Sequence, residues 1–115
     1  MTRTIIGLSG NLDRPSKTRT LVQRVVAAAA SEFQVTGTIY DLADFGPSLG
    51  AARRVADLDA PARAALDVIL SADALVVGSP VYKGSYTGLF KHMIDLIGPL
   101  ALAGKPVLLT ATGGG

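Results

Sequence analysis

Residues 74–97, ALVVGSPVYKGSYTGLFKHMIDLI, join an apolar run to an amphipathic pattern through a loop of glycine, proline and hydroxyl side chains. The run Ala74–Gly78 predicts a buried strand, because strands covered on both faces read as continuous apolar stretches. Apolar residues then recur at helical spacing, which predicts a helix from Thr87 to Ile97. Strand and helix in succession are the unit of a parallel sheet. The loop between them lies at the carboxyl edge, where open α/β folds bind ligands.

The rest of the chain repeats this alternation of strand and helix. The predicted strands are Thr4–Ser9, the more polar Val35–Tyr40, Ala74–Gly78 and Lys105–Ala111. The predicted helices are Thr18–Ala30, a helix that begins at Pro61 behind the cap Asp59, and Thr87–Ile97, which Pro99 ends. The stretch from Asp41 to Asp57 is predicted to be irregular, since glycine and proline mark turns in it.

This order predicts an α/β fold in three layers, with a parallel sheet between two layers of helices. A polar second strand belongs at the edge of the sheet, and the flavodoxin-like strand order 2-1-3-4-5 fits best. Only four strands are present, and the outer edge of the fourth would be exposed. We therefore expect residues 1–115 to be one flavodoxin-like domain that forms the N-terminal part of a longer one, without its C-terminal strand and helices. A stable four-stranded minimal domain is the alternative.

Composition excludes several classes of function. The chain has 115 residues, no cysteine, a single histidine and a net charge of +2. It therefore has no disulfide, thiolate metal site or cysteine nucleophile, and a zinc site is not expected. The charge is too small and scattered for a nucleic-acid surface. No apolar run approaches the ~20 residues that span a bilayer, and the start leaves no room for a signal peptide. We expect a cytoplasmic protein that binds neither nucleic acid nor membrane.

The loop after the first strand is the first candidate binding segment. Its last residues lie at a predicted helix N-terminus, where free backbone N–H groups favour an anion. Ser16 and Thr18 add hydroxyl donors and Lys17 adds a positive charge. The glycine spacing matches neither a Walker loop nor a dinucleotide-binding fingerprint. The alternative is an ordinary helix cap at Ser16 with a solvated Lys17.

Two further loops follow the third and fourth strands. Residues 80–85 combine a rigid proline, an aromatic ring, a cation and hydroxyls, which suit a flat ring with polar edges; Tyr82 as a core aromatic and Lys83 as a surface cation are the alternatives. Glycines in 112–115 bring backbone N–H groups to such a ring, although a glycine-rich end is also typical of a disordered tail. His92 is expected on the polar, exposed side of its helix. We find no nucleophile–base pair, and we predict no catalytic side chain and no metal ligand.

These loops together resemble the NAD(P)H-dependent FMN reductases of the flavodoxin-like superfamily. The similarity is greatest to the flavin reductases of two-component alkanesulfonate and methanesulfonate monooxygenase systems. The segments that carry it are Leu8–Gly10, Pro15–Thr18, Ser79–Lys91, Asp95–Leu96 and Ala111–Gly114. The resemblance implies that the cofactor is FMN, that NADH or NADPH donates the hydride, and that the FMN-binding residues are Asn11, Ser16, Lys17, Thr18, Pro80, Val81, Tyr82, Lys83, Ser85, Thr112, Gly113 and Gly114.

One position departs from the family pattern. Many relatives carry arginine where Asp13 stands, and serine or threonine where Asn11 stands, to contact the phosphate. A carboxylate there would repel a dianion. We expect either that Asp13 points to solvent while Arg14 compensates, or that FMN is held weakly, as suits a flavin that is released.

The resemblance further implies an FMN reductase that passes reduced flavin to a partner monooxygenase of the kind that acts on organosulfonates. It implies a homodimer or homotetramer, with Leu89, Phe90 and Met93 at the interface or, alternatively, in the core. Other enzymes of this fold are quinone or azo reductases with tightly held FMN. A flavodoxin-like electron carrier is a different class, but such carriers are usually acidic and this chain is slightly basic. A receiver-like module would need an acidic cluster after the first strand.

Overall fold

A computed structural model describes residues 3–114, which form one sheet flanked by helices. The strands are β1 (Thr4–Ser9), β2 (Thr36–Asp41), β3 (Ala74–Pro80) and β4 (Val107–Thr112). The helices are α1 (Lys17–Phe33), the short α2 (Ser48–Ala51), α3 (Ala60–Leu70) and α4 (Gly88–Leu96). Two 3₁₀ turns, Leu42–Phe45 and Val55–Asp57, lie between β2 and α3.

All neighbouring strands are parallel, in the order β2-β1-β3-β4. Ile6 of β1 lies opposite Thr38 of β2 on one side and Leu75 of β3 on the other. This confirms the predicted flavodoxin-like order and the edge position of the polar strand. Because the strands run the same way, the loops after β1, β3 and β4 leave the sheet at one edge.

Two apolar cores lie on opposite faces of the sheet, which confirms the three layers. On one face Val22 and Val26 of α1 pack with Val76 of β3. The other face holds the larger core, where α3 and α4 cover β1 and β3 with Leu66, Ile69 and Met93 among the buried residues. Burial at about 25 cal/mol per Å² of apolar surface makes these cores the main source of stability.

The outer side of β4 is open in the part of the chain that the structure describes, where β4 pairs with β3 alone. The apolar residues of β4 are exposed to solvent: Val107 is 38% exposed, Leu108 53% and Leu109 75%. The expected exposed edge is therefore present. No helix among residues 3–114 is long and apolar enough to cross a membrane.

Several boundaries differ from the predicted ones. The first helix extends to Phe33 and ends where Gln34 takes a left-handed conformation. Helix α3 begins at Ala60, one residue before the predicted start at Pro61. Asp59 caps it, and a proline is tolerated in the first turn, where its missing N–H is not needed. The fourth ends at Leu96, before Pro99.

The stretch predicted to be irregular is mostly ordered. The first 3₁₀ turn buries Leu42 and Phe45, and α2 buries Leu49, against the larger core. The sequence missed this because each turn is shorter than the window over which helical spacing can be counted.

Candidate functional site

Three loops meet at the carboxyl edge of the sheet. They follow β1, β3 and β4, and they enclose a groove of about 350 Å³. Its lining residues are Lys17, Pro80, Val81, Tyr82, Thr112, Gly113 and Gly114. Seven of the predicted binding residues, which are far apart in the sequence, therefore line one groove.

The N-terminus of α1 supplies the polar end of this groove. The Ser16 side chain accepts a hydrogen bond from the backbone N–H of Arg19 at 3.1 Å, so the predicted helix cap is present. Its hydroxyl hydrogen stays available to a ligand, so capping and binding are compatible. Lys17 is exposed, and among the described residues no carboxylate pairs with it. With no acidic residue in the first turn, this end of the helix is positive.

Thr18 is almost completely buried, and its hydroxyl lies 2.5 Å from that of Thr112. This bond ties the start of α1 to the end of β4. The Val81 backbone N–H donates to the Thr112 carbonyl at 2.8 Å and ties the end of β4 to the loop after β3. The side chains of Thr18 and Thr112 therefore hold two sides of the groove together, and the backbone of residues 112–114 faces it.

Asn11 lies beneath the loop rather than in the groove. Its side-chain oxygen accepts from the Ser9 hydroxyl, and its amide donates to the Asp13 carbonyl at 3.0 Å and to Asp41 at 3.3 Å. The residue is only 3% exposed. Since both ends of its side chain are engaged inside the protein, Asn11 shapes the loop, and the expectation that it contacts a ligand finds no support in this geometry.

A buried carboxylate, Asp41 at the end of β2, lies behind the same loop. Arg14 donates to both its oxygens at 2.6 Å, and the Arg19 Nε atom lies 3.1 Å away. Burial acts to raise the pKa of Asp41, but the Arg14 hydrogen bonds and charge, the Asn11 amide and the Arg19 charge outweigh it and hold the pKa below its usual value. Asp41 is therefore ionised at neutral pH.

The suggestion that Arg14 compensates for Asp13 at a bound anion is not what the structure shows. The Arg14 guanidinium is committed to Asp41 and to Asp44, 3.0 Å away. Asp13 is exposed, as expected, and only its backbone carbonyl takes part in the loop. Within residues 3–114, Lys17 is therefore the cation that lines this groove without a carboxylate partner.

The loop after β3 contains a two-residue turn. The backbones of Tyr82 and Ser85 exchange hydrogen bonds of 2.9 and 3.2 Å, while Lys83 and Gly84 have φ angles of 55° and 79°. Two successive positive φ angles define a tight turn in which a lysine is unusual. Tyr82 is 61% exposed and lines the groove, so it is no core aromatic. Lys83 stands at the exposed tip, and Ser85 faces a second, more apolar groove beside Phe90.

Ser79 and Thr87, which the sequence did not single out as site residues, fix this loop against the first one. The Thr87 hydroxyl donates to the Gly10 carbonyl at 3.0 Å, and the Thr87 backbone N–H donates to the Ser79 hydroxyl at 3.0 Å. Thr87 immediately precedes α4, and its side chain makes no capping hydrogen bond to the helix. The signals available were a hydroxyl near the end of the apolar strand β3 and another just before the amphipathic helix α4.

The expectation for His92 is wrong. The side chain is half-buried, and its Nε2 atom is buried without a hydrogen-bond partner among the described residues. Lys91 and Asp95 form the exposed pair on α4, with a 2.6 Å contact one helical turn apart. Met93 is in the core, and Leu89 and Phe90 pack against it, so the core alternative holds for Met93.

The chain is similar to known proteins over nearly its whole length. The family model described as NADPH-dependent FMN reductase matches residues 3–115. An FMN reductase (NADPH) from Pseudomonas aeruginosa is 44% identical over 110 residues, which cover 96% of this chain and 59% of that protein. An NADH-dependent FMN reductase, SfnE, from Pseudomonas putida is 41% identical, with the same two coverages. The chain thus spans about three-fifths of the length of these curated relatives.

Solved structures give the same answer. The apo form of an NADH:FMN oxidoreductase, EmoB, superposes with a TM-score of 0.87 at 35% identity, over 99% of this chain and 60% of that one. A general stress protein 14 from Treponema denticola, solved in complex with FMN, shares the fold with a TM-score of 0.61 at 20% identity. The order of the strands, the loops at their carboxyl edge and the match to residues 3–115 lead to one conclusion: this chain belongs to the NADPH-dependent FMN reductase family.

Proposed function

We propose that the protein is an NAD(P)H-dependent FMN reductase that uses the groove at the carboxyl edge of the sheet. The observation that supports this best is that one groove collects Lys17, Pro80–Tyr82 and Thr112–Gly114 from three separate loops. These parts differ in chemistry, with a cation, an aromatic and proline wall, and a glycine backbone.

The donors in the groove fit the three parts of FMN. Ser16, Lys17 and the free N–H groups of the first turn of α1 would hold the phosphate, since hydrogen bonds to a charged group contribute roughly 1.5–3 kcal/mol each. Pro80, Val81 and Tyr82 would line the ring. At Gly114 an added Cβ would meet nothing within 4 Å, so there is space beside this backbone for the pyrimidine edge.

Bound FMN supplies the redox chemistry, because its ring accepts the hydride that the nicotinamide donates. The protein would hold the ring in place and offer N–H groups of residues 112–114 where negative charge develops. Pro80 and the hydrogen bonds between the three loops hold the lining of the groove in place before a ligand binds. Lys83 and Ser85 do not line this groove, but Ser85 lines the neighbouring groove that shares Val81, and we propose that both contact the ring or the ribityl chain.

Further expectations concern the whole protein. We propose that the reduced flavin is released to a flavin-dependent monooxygenase, and that the protein is a cytoplasmic homodimer or homotetramer. These proposals rest on the resemblance to reductases of two-component systems. A quinone or azo reductase with tightly held FMN, or a non-catalytic electron carrier, is the alternative.

The test is oxidation of NADH and of NADPH, followed at 340 nm, with and without added FMN. We expect oxidation that depends on added FMN and a protein that purifies without colour. Lys17→Gln should raise the KM for FMN several-fold, whereas Lys91→Gln, which removes an exposed lysine on α4, should not. Copurifying yellow flavin would favour the quinone or azo reductase. FMN binding without oxidation of either nicotinamide would favour the carrier.

A further inference from the structure

Asp41 contacts the chain on both sides of the segment Ser16–Thr18. Arg14, two residues before that segment, donates two hydrogen bonds to the carboxylate, and Arg19, one residue after it, lies 3.1 Å from Oδ2. The Asn11 amide reaches the same oxygen at 3.3 Å and also holds the Asp13 carbonyl. One side chain from β2 thus joins the loop after β1 to the first turn of α1.

Because the Asp41 carboxylate is buried, it requires its two arginine partners. The Asp41 side chain is 0% exposed, whereas that of Arg14 is 48% and that of Arg19 29% exposed. A buried charge is stable only when it is paired, so the two arginines are drawn inward to Asp41. Their positions, and with them the backbone path between residues 14 and 19, are fixed by a group that lies behind the groove.

We propose that Asp41 is a positioning residue for phosphate binding, which acts by holding the Ser16–Thr18 segment in its binding conformation. The proposal rests on the function proposed above and assigns Asp41 no contact with the ligand. A segment that is already ordered loses less conformational entropy when it binds, so ordering it tightens binding. Because the segment carries the proposed phosphate donors, the effect of Asp41 is expected to be larger for flavins that carry a phosphate than for those that lack one.

A competing hypothesis predicts the opposite change in FMN affinity when the Asp41 carboxylate is removed. If Asp41 merely neutralised Arg14 and Arg19, its removal would free two cations beside the phosphate and FMN would bind more tightly. Positioning predicts weaker binding although a negative charge near the phosphate has been removed. The sign of the change therefore separates the two.

The experiment compares FMN with riboflavin, which has the same ring and no phosphate. Dissociation constants for both are measured by fluorescence quenching on the wild-type chain and on Asp41→Asn, which keeps the side-chain shape. We expect FMN affinity to fall about tenfold and riboflavin affinity to change less than twofold. An unchanged ratio of the two constants, an equal loss for both flavins, or tighter FMN binding would overturn the proposal.

A second variant covers the case in which Asp41→Asn does not fold. Arg14→Gln removes the two shortest bonds to Asp41 from a half-exposed position, and it should also lower the preference for FMN; an unchanged preference would overturn the proposal. Arg63→Gln, which breaks an exposed ion pair on α3, is the control and should leave both constants unchanged. Wild-type protein that fails to prefer FMN over riboflavin would count against the proposed function itself. A wild-type preference that Asp41→Asn retains would count against positioning alone.

Discussion

At Asp13 the chain places an exposed carboxylate on the loop that leads to the proposed phosphate site. The side chain makes no hydrogen bond among the described residues, while the backbone carbonyl accepts from Asn11. The conformation of the loop is therefore independent of the Asp13 side chain. What this side chain contributes is a negative charge on the loop that carries the proposed phosphate donors.

Asp13→Arg should tighten FMN binding about threefold at low ionic strength, since exposed charges a few ångströms apart interact by roughly 1 kcal/mol. The gain should shrink as salt is added, because the charges are exposed to solvent. Fluorescence-quenching titrations with FMN at two salt concentrations check this. Asp67→Arg, on the distant α3, should give no gain, and unchanged or weaker binding by Asp13→Arg would count against the proposed phosphate site.

Among the elements, α1 does most to connect the fold with the site, because it contacts all four strands and presents its N-terminus to the groove. Its close approach to β3 depends on Gly78. A Cβ there would lie 2.5 Å from Thr110 Oγ1 and 2.6 Å from Val22 Cγ2, closer than atoms can pack. Gly78 is in the middle of the sheet, so the helix or the neighbouring strand would have to move.

Gly78→Ala should therefore lower the free energy of unfolding by about 1–3 kcal/mol, the usual cost of overpacking a core. The midpoint of urea unfolding, followed by circular dichroism, measures this. Gly50→Ala is the matched control, because nothing lies within 4 Å of a Cβ at that position. A Gly78→Ala midpoint equal to that of the wild type would mean that α1 can move away at little cost.

On the scale of the whole molecule, Asp41 links the end of β2 to the loop after β1, so its ionisation contributes to global stability. The pKa of Asp41 is lower in the folded state, against the pull of burial, because of its bonds with Arg14 and its other partners. An unfolded aspartate has a pKa of about 3.9. The contribution is thus complete above that pH and is lost as the pH falls toward the lower folded pKa, since the unfolded state then binds the proton more readily.

Urea unfolding between pH 7 and pH 3 should show this dependence. The urea concentration at the wild-type midpoint is expected to decrease when the pH is lowered below about 4. At pH 7 the free energy of unfolding of Asp41→Asn should be lower than that of the wild type by about 1–3 kcal/mol. On acidification the variant should lose less of its remaining free energy of unfolding than the wild type does. Asp67→Asn removes a carboxylate from an exposed ion pair and should keep the wild-type slope. Parallel acid curves for Asp41→Asn and the wild type would show that Asp41 contributes nothing to the acid transition.

The sequence predicted much of the fold because the relevant signals are local. Val76 and Val77 belong to an apolar run, and Thr36 and Thr38 mark a polar strand, so a central and an edge strand can be told apart from composition alone. His92 shows the limit of local reading. It follows Lys91 in the sequence, but successive side chains of a helix point about 100° apart. The exposed polar face of α4 is formed by Lys91 and Asp95, and His92 does not lie on it.

The sequence by itself determined the order of the strands, the three loops at one edge of the sheet and the family. Periodicity and motif spacing carry that information within a few residues. Only the tertiary structure decided which polar side chains of the first loop stay free for a ligand. Arg14 and Asp41 are 27 residues apart, yet a buried carboxylate must find its cations wherever the fold places them. In the part of the chain that the structure describes, Asn11 and Arg14 are engaged with Asp41, and Lys17 is left as the free cation at the groove.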